Sequence, residues 1–262
     1  MGQVIVGTSG FSYADWIGPF YPAGMKQKDF LGFYAEKLSM TELNFTYYRM
    51  PGADSLRRMG KIAGEHFRFS VKAHRSLTHE IDRESLQSGT EQFIRGVEPL
   101  MESGQLSAIL LQFPFSFRYS PHNRRYLDSL CSGFDGFPLV IEFRRDEWMQ
   151  EKVYSGLRER RIAVANVDAP ALPGLPAKSA VVTSDTGYVR FHGRNEKNWW
   201  SGDNVTRYDY LYSQSELEDW VPQIVRMAQR AGVVFAVFNN HARGQAVENA
   251  RALNVLIKSR LG

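Results

Sequence analysis

Glu142 and Arg144 stand two residues apart in the run VIEFRRDEW, residues 140–148. Alternate side chains of an extended strand share a face, so these two point together while Ile141 and Phe143 point the other way. A carboxylate that exchanges protons beside a guanidinium that grips an oxyanion is equipment for acid–base chemistry on an anionic substrate. Comparable polar sets end other β-like runs: Thr8-Ser9-Gly10, Glu42 with Asn44, Ser70 with Lys72 and His74, and Gln112. Asn166 with Asp168, Arg190 with His192, and Asn239-Asn240-His241 complete the series.

Those sets need elements that bring them to one place. Eight β-like runs punctuate the chain, at residues 3–7, 40–45, 67–73, 107–113, 138–143, 162–168, 187–193 and 233–240. Helical stripes lie between most of them, such as Phe30, Tyr34 and Leu38, or Phe93, Val97, Leu100 and Met101. Ser213 and Glu216 fit a capping box at the start of a helix near 214–231, and Pro222 predicts a kink or a shifted start there. Strands alternating with helices argue a parallel sheet, and eight repeats argue closure into a single-domain TIM-like (β/α)8 barrel over residues 1–262. Pro170, Pro173 and Pro176 predict an irregular Pro-rich crossing between strands 6 and 7 instead of a helix. The alternative, an open doubly wound sheet, would carry a glycine-rich phosphate turn, and neither GxGxxG nor GxxxxGK[ST] occurs.

A barrel of this kind places its site at the C-terminal strand ends. The polar sets then form a ring with carboxylates Glu42, Glu142 and Asp168 and cations Lys72, Arg144 and Arg190. Glu142, Glu42 and His192 are the candidate catalytic acids and bases. The candidate ligand-binding residues are Lys72, His74, Gln112, Arg144, Asp168, Arg190, Arg194, Asn239 and Asn240, with Tyr13, Trp16 and Trp200 as aromatic platforms. Each has a bland reading: an ion pair neutralising itself, a histidine bonding a loop carbonyl, or an aromatic plugging the barrel top. Hydrophobic layers would fill the barrel at lower cost than six buried charges, so a whole ring favours a site.

The expected function is an enzyme, of hydrolase, isomerase or lyase type, acting on a phosphorylated or otherwise anionic small substrate such as a nucleotide or sugar phosphate. Glu/His acid–base chemistry would drive it. The alternatives are a non-catalytic nucleic-acid or nucleotide binding module and a glycosidase-like hydrolase using two carboxylates. No cofactor is expected. The carboxylates and histidines are ligand types for a divalent metal, but the three cations compete with one, and no HxH or HExxH spacing occurs.

The chain has 262 residues, 32 basic and 28 acidic, for a net charge of +4 with the charges interspersed, a weak signal for nucleic acid. Cys131 is the single cysteine, which excludes an internal disulfide and a thiolate zinc cluster. No basic, long apolar leader opens the sequence and no apolar run approaches about 20 residues, so a cytoplasmic protein without a membrane partner is expected.

Seven blocks carry a family resemblance: GTSGFSYADWIGPFYP (7–22), ELNFTYYRMP (42–51), FRFSVKAHRSLTH (67–79), LLQFPFSF (110–117), IEFRRDEW (141–148), YVRFHGR (188–194) and FNNHARGQAVENA (238–250). In that order they resemble the domain of unknown function 72, or YecE-like, family across essentially the whole chain. The resemblance implies a TIM-like barrel, similar in outline to those of xylose isomerases and of a repair endonuclease class, and implies no reaction. Phe11, Phe115 and Arg145 depart from its commoner pattern of tryptophan, proline and histidine. Arg145 makes the mouth more basic.

Overall fold

The computed structural model describes residues 1–203 and 205–261. All eight expected runs are strands: β1 (Gln3–Ser9), β2 (Met40–Leu43), β3 (Arg68–Lys72), β4 (Leu106–Gln112), β5 (Leu139–Glu142), β6 (Ala163–Asp168), β7 (Thr186–Phe191) and β8 (Val233–Phe238). Each pairs in parallel with the next, and β1 pairs with β8, closing the barrel. Helices fill most connections. The stretch between β6 and β7 has none and instead is tied down by side chains. Asn166 donates to the Val181 carbonyl (2.9 Å) and accepts from Ser179 Oγ and the Val181 amide, while Thr183 bonds Val164 N and the Ile162 carbonyl. The capping box at Ser213 is formed, and its helix stops at Glu218. A new helix, Val221–Ala228, takes Pro222 into its first turn, where the missing N–H has no intrahelical acceptor to lose.

Strand alternation sorts the apolar residues into two cores. Outside the sheet, Leu43, Phe69, Val71, Ile109, Leu111, Ile141, Val164, Val189, Phe191, Val234, Ala236 and Phe238 pack against the helices. Inside, Met40, Ala108, Leu110, Val140, Ala163, Ala165, Tyr188, Phe235 and Val237 form a smaller cluster that closes the barrel below its C-terminal end. Cys131 is buried in the outer core, where desolvation pushes its thiol up to about 12 and keeps it inert. No helix among the described residues is long and apolar enough to cross a membrane.

Gly7 marks the tightest contact of the inner layer. A Cβ there would lie 2.2 Å from the Met40 carbonyl oxygen and 2.5 Å from Met40 Sδ. The backbone of the neighbouring strand cannot yield as a flexible side chain would, so Gly7→Ala is expected to lower unfolding stability by about 1–3 kcal/mol. Chemical denaturation measures it, and an unchanged midpoint would contradict this packing.

Candidate active site at the C-terminal mouth

Above the inner apolar layer lies a buried polar layer centred on Arg190. Its guanidinium reaches Glu142 through Nη1 (2.5 Å) and Glu42 through Nη2 (2.5 Å), with Ser9 Oγ 3.2 Å away. Both carboxylates have no solvent exposure, and Arg190 has 2 %. Glu42 also accepts from Ser9 Oγ (2.5 Å) and lies 3.0 Å from the Tyr188 phenol, which is 2.9 Å from Ser70 Oγ. Glu142 pairs with Arg144 and lies 3.2 Å from His192 Nε2. Burial alone would raise the Glu142 carboxyl, but Arg144, Arg190 and His192 outweigh it and hold it well below its usual range.

His192 is equally constrained. Asn239 Nδ2 donates to its Nδ1 (3.1 Å), so Nε2 carries the proton that faces Glu142. Burial and the Arg144 charge lower its pKa to about 3, leaving the imidazole neutral. The three expected catalytic residues thus converge, but as a closed, fully engaged network beneath the cavity.

The mouth above them holds two adjoining cavities of about 450 and 510 Å³. Lys72, Arg144, Tyr47, Tyr48 and Tyr208 line both. Tyr13, Asn44, Arg190, Asn239 and His241 complete the first, and Gln112, Phe115, Arg207, Trp199 and Trp200 extend the second. Lys72 forms no ion pair with a carboxylate of the described residues, and its Nζ sits 4.4 Å above the Tyr47 ring. Burial, with Arg190 and Arg144 nearby, lowers its pKa to about 7 against the smaller pull of the carboxylates. Burial would raise the Tyr208 phenol, yet Arg144, Arg190 and Arg207 outweigh it and bring it below its ordinary value. Trp200 is 53 % exposed at the rim, edge-on to Phe115.

Five expected ligand-binding residues lie elsewhere. Asp168 and Asn166 point outward, because β6 pairs Asn166 with Val189 and Asp168 with Phe191, both on the helix side. Asp168 accepts from Arg194 Nε and Nη2 (2.8 and 2.7 Å), Tyr212 OH (2.8 Å) and Trp220 Nε1 (2.7 Å). Arg194 is therefore committed to Asp168 and Glu216. His74 caps the short helix Arg75–Thr78, accepting from Ser76 N. Asn240 ties a loop by donating to the Tyr210 carbonyl and Asn249. Trp16 is fully buried, its indole N–H on the His241 carbonyl (2.7 Å), and plugs the barrel rim.

Arg207 and Tyr208 are the functional candidates missing from the sequence reading. They sit in the irregular segment after β7, where no periodicity assigns a side-chain direction; the pairing of a basic residue with a tyrosine among RYDYLY was the available cue.

Two outcomes follow from these charges. Glu142→Gln leaves Arg144 and Arg190 short of a buried counter-charge and should cost about 3–5 kcal/mol of stability, read by chemical denaturation. A variant as stable as wild type would mean that the carboxylate is not holding the layer together. Lys72 behaves oppositely. Its folded pKa, about 7, lies below the unfolded value of about 10.4, so the unfolded chain binds more protons between them and stability rises with pH across that window. The cost of the half-buried cation is complete below the folded value. Lys72→Met should therefore raise the melting temperature more at about pH 6 than at about pH 9.5, and equal gains would overturn the assignment.

Solved structures of similar proteins share this architecture over nearly their whole length. A DUF72-family protein from Thermotoga maritima is 40% identical, with 99% of both chains covered and a TM-score of 0.89. One from Enterococcus faecalis is 26% identical, covering 98% of this chain and 96% of its own, at a TM-score of 0.87. The UPF0759 protein YunF of Bacillus subtilis is 28% identical over 270 residues, 97% of this chain and 95% of that protein. The family model described as "Protein of unknown function DUF72" matches residues 5–261, and the chain belongs to that family.

Proposed function

We propose that the protein is an enzyme acting on a phosphorylated or otherwise anionic small substrate held at the C-terminal mouth of the barrel. The observation that carries this reading is the uneven use of charge. Lys72, Arg144 and Arg190 face two carboxylates, and Arg190 alone bridges both of those. Lys72 and Arg144 are left lining the open cavities with Tyr208, where an anion would complete the balance. Arg144, braced by Glu142 and stacked 5.8 Å from Trp199, supplies a preorganised guanidinium for an oxyanion. Arg207 adds a second at the rim.

Proton exchange in this reading falls to Lys72 and Tyr208, the cavity groups whose pKa values move toward neutrality. Glu142 and His192 act through Arg144 and Arg190 by fixing their geometry. A glycosidase-type mechanism is disfavoured because it needs two carboxyl groups flanking a sugar, and here one guanidinium occupies the space between them. The tyrosines and Trp200 around the cavity offer flat apolar surfaces to the uncharged part of a substrate. Membership of the family supplies no substrate, so the chemistry of the mouth is the whole of the case.

Titration calorimetry with inorganic phosphate at fixed ionic strength tests the reading. Wild type should bind, and Arg144→Ala should weaken binding at least about tenfold, or about 1.4 kcal/mol. Affinity should also fall as pH rises through about 7, where Lys72 loses its charge. Equal binding by both proteins, or none by wild type, would count against an anion site.

A further inference from the structure

We propose that Lys72 is a covalent centre, whose Nζ condenses with the carbonyl carbon of a small aldehyde or ketone bearing a phosphate or carboxylate. This rests on the anionic-substrate reading and names the substrate class of the same site.

The geometry separates Lys72 from a lysine that only neutralises charge. It ends β3 on the inward face, beside Glu42 and Ser70 in the barrel pleat, and opens onto both cavities. The two buried carboxylates are occupied by Arg190, Arg144, Ser9 and His192, and neither forms an ion pair with Lys72. Its amine instead lies over the Tyr47 ring, a contact that leaves the nitrogen lone pair available once the proton has gone. The charged and titratable groups acting on it are Arg190, Arg144, Glu42 and Glu142. His79, lowered to about 4 by burial, Lys72 and Arg144, adds no charge at neutral pH. With these neighbours, comparable amounts of amine and ammonium coexist near pH 7, whereas an ordinary lysine there is neutral in only about one molecule in 2,500.

The remaining parts of an imine-forming site are in reach of the same cavity. Arg144 and Arg207 would hold the anionic end, leaving the carbonyl toward Lys72. The amine lone pair attacks the carbonyl carbon, the C=O π electrons move to oxygen, and that oxygen takes a proton from the Tyr208 phenol. The new ammonium passes a proton to the Tyr208 phenolate, which leaves a neutral carbinolamine. The regenerated Tyr208 phenol then protonates the hydroxyl, the C–O bond breaks to release one water, and the nitrogen lone pair forms the C=N bond of a protonated imine. No oxidant or reductant is needed. The imine then withdraws electrons from the adjacent carbon, which suits isomerase, lyase or aldol-type steps.

The test uses the full chain with glycolaldehyde phosphate as probe, borohydride to trap the imine, and peptide mapping by mass. The expected result is one reduced adduct on Lys72, formed fastest near pH 7, and at least about tenfold faster than with glycolaldehyde lacking the phosphate. Lys72→Arg should abolish that adduct while retaining the fold, read by circular dichroism. Labelling spread over surface lysines, or rising steadily toward pH 10 as for ordinary amines, would overturn the covalent role even if phosphate still binds. Selective labelling that is indifferent to the phosphate would overturn the anionic substrate class. Absence of phosphate binding in the calorimetry is the separate failure of the anion reading.

Discussion

The contact on which the site depends is the Arg190 guanidinium held between Glu42 and Glu142. Removing three charges from water is costly unless each finds partners in good geometry. Here one planar group offers Nη1 to one carboxylate and Nη2 to the other, both at 2.5 Å, with Ser9 and Tyr188 completing the coordination of Glu42. A lysine in place of Arg190 would present a single point charge on a flexible stem, without the planar fork that offers a separate nitrogen to each carboxylate on strands β2 and β5. The pair of bonds therefore ties opposite parts of the barrel wall through its interior.

That arrangement determines which groups are free to act. With both carboxylates occupied by Arg190, the excess positive charge is expressed upward, at Lys72 and Arg144. Burial, reinforced by that charge, depresses Lys72 and keeps His192 neutral, and the arginines draw down Tyr208 against its burial. Burial and the arginines together thus move a lysine and a phenol toward neutrality in the cavity while silencing a histidine beneath it. A carboxylate that looks catalytic by residue type becomes the brace for an arginine, and the groups suited to proton exchange are those the brace leaves uncovered.

The aromatic residues divide in the same way. Trp16 and Tyr21 are fully buried and pack with Phe20 and Phe30 at the barrel rim. Tyr13 stacks on His241 at 4.6 Å and faces the cavity, as do Tyr47, Tyr48 and Tyr208. Packing of the rim aromatics gives the mouth fixed walls, and the segment after β7 supplies the wall that carries Arg207, Tyr208, Trp199 and Trp200.

The alternation of polar and apolar residues along β2, β3, β5 and β7 determined the barrel and the inward direction of Glu42, Lys72, Glu142, Arg144 and Arg190, because side-chain direction in a strand follows from counting by two. β6 shows where that counting stops. Its residues are buried on both faces, so Ala163, Ala165 and Val167 line the barrel while the more polar Asn166 and Asp168 turn outward to meet Val181, Tyr212 and Trp220. Only the register with β7 fixed that phase. Tertiary structure alone also decided that Glu142 and His192 are sealed and that Lys72 has no carboxylate partner among the described residues. Those properties depend on distances between strands far apart in the chain, and residue type and local spacing carry no record of such distances.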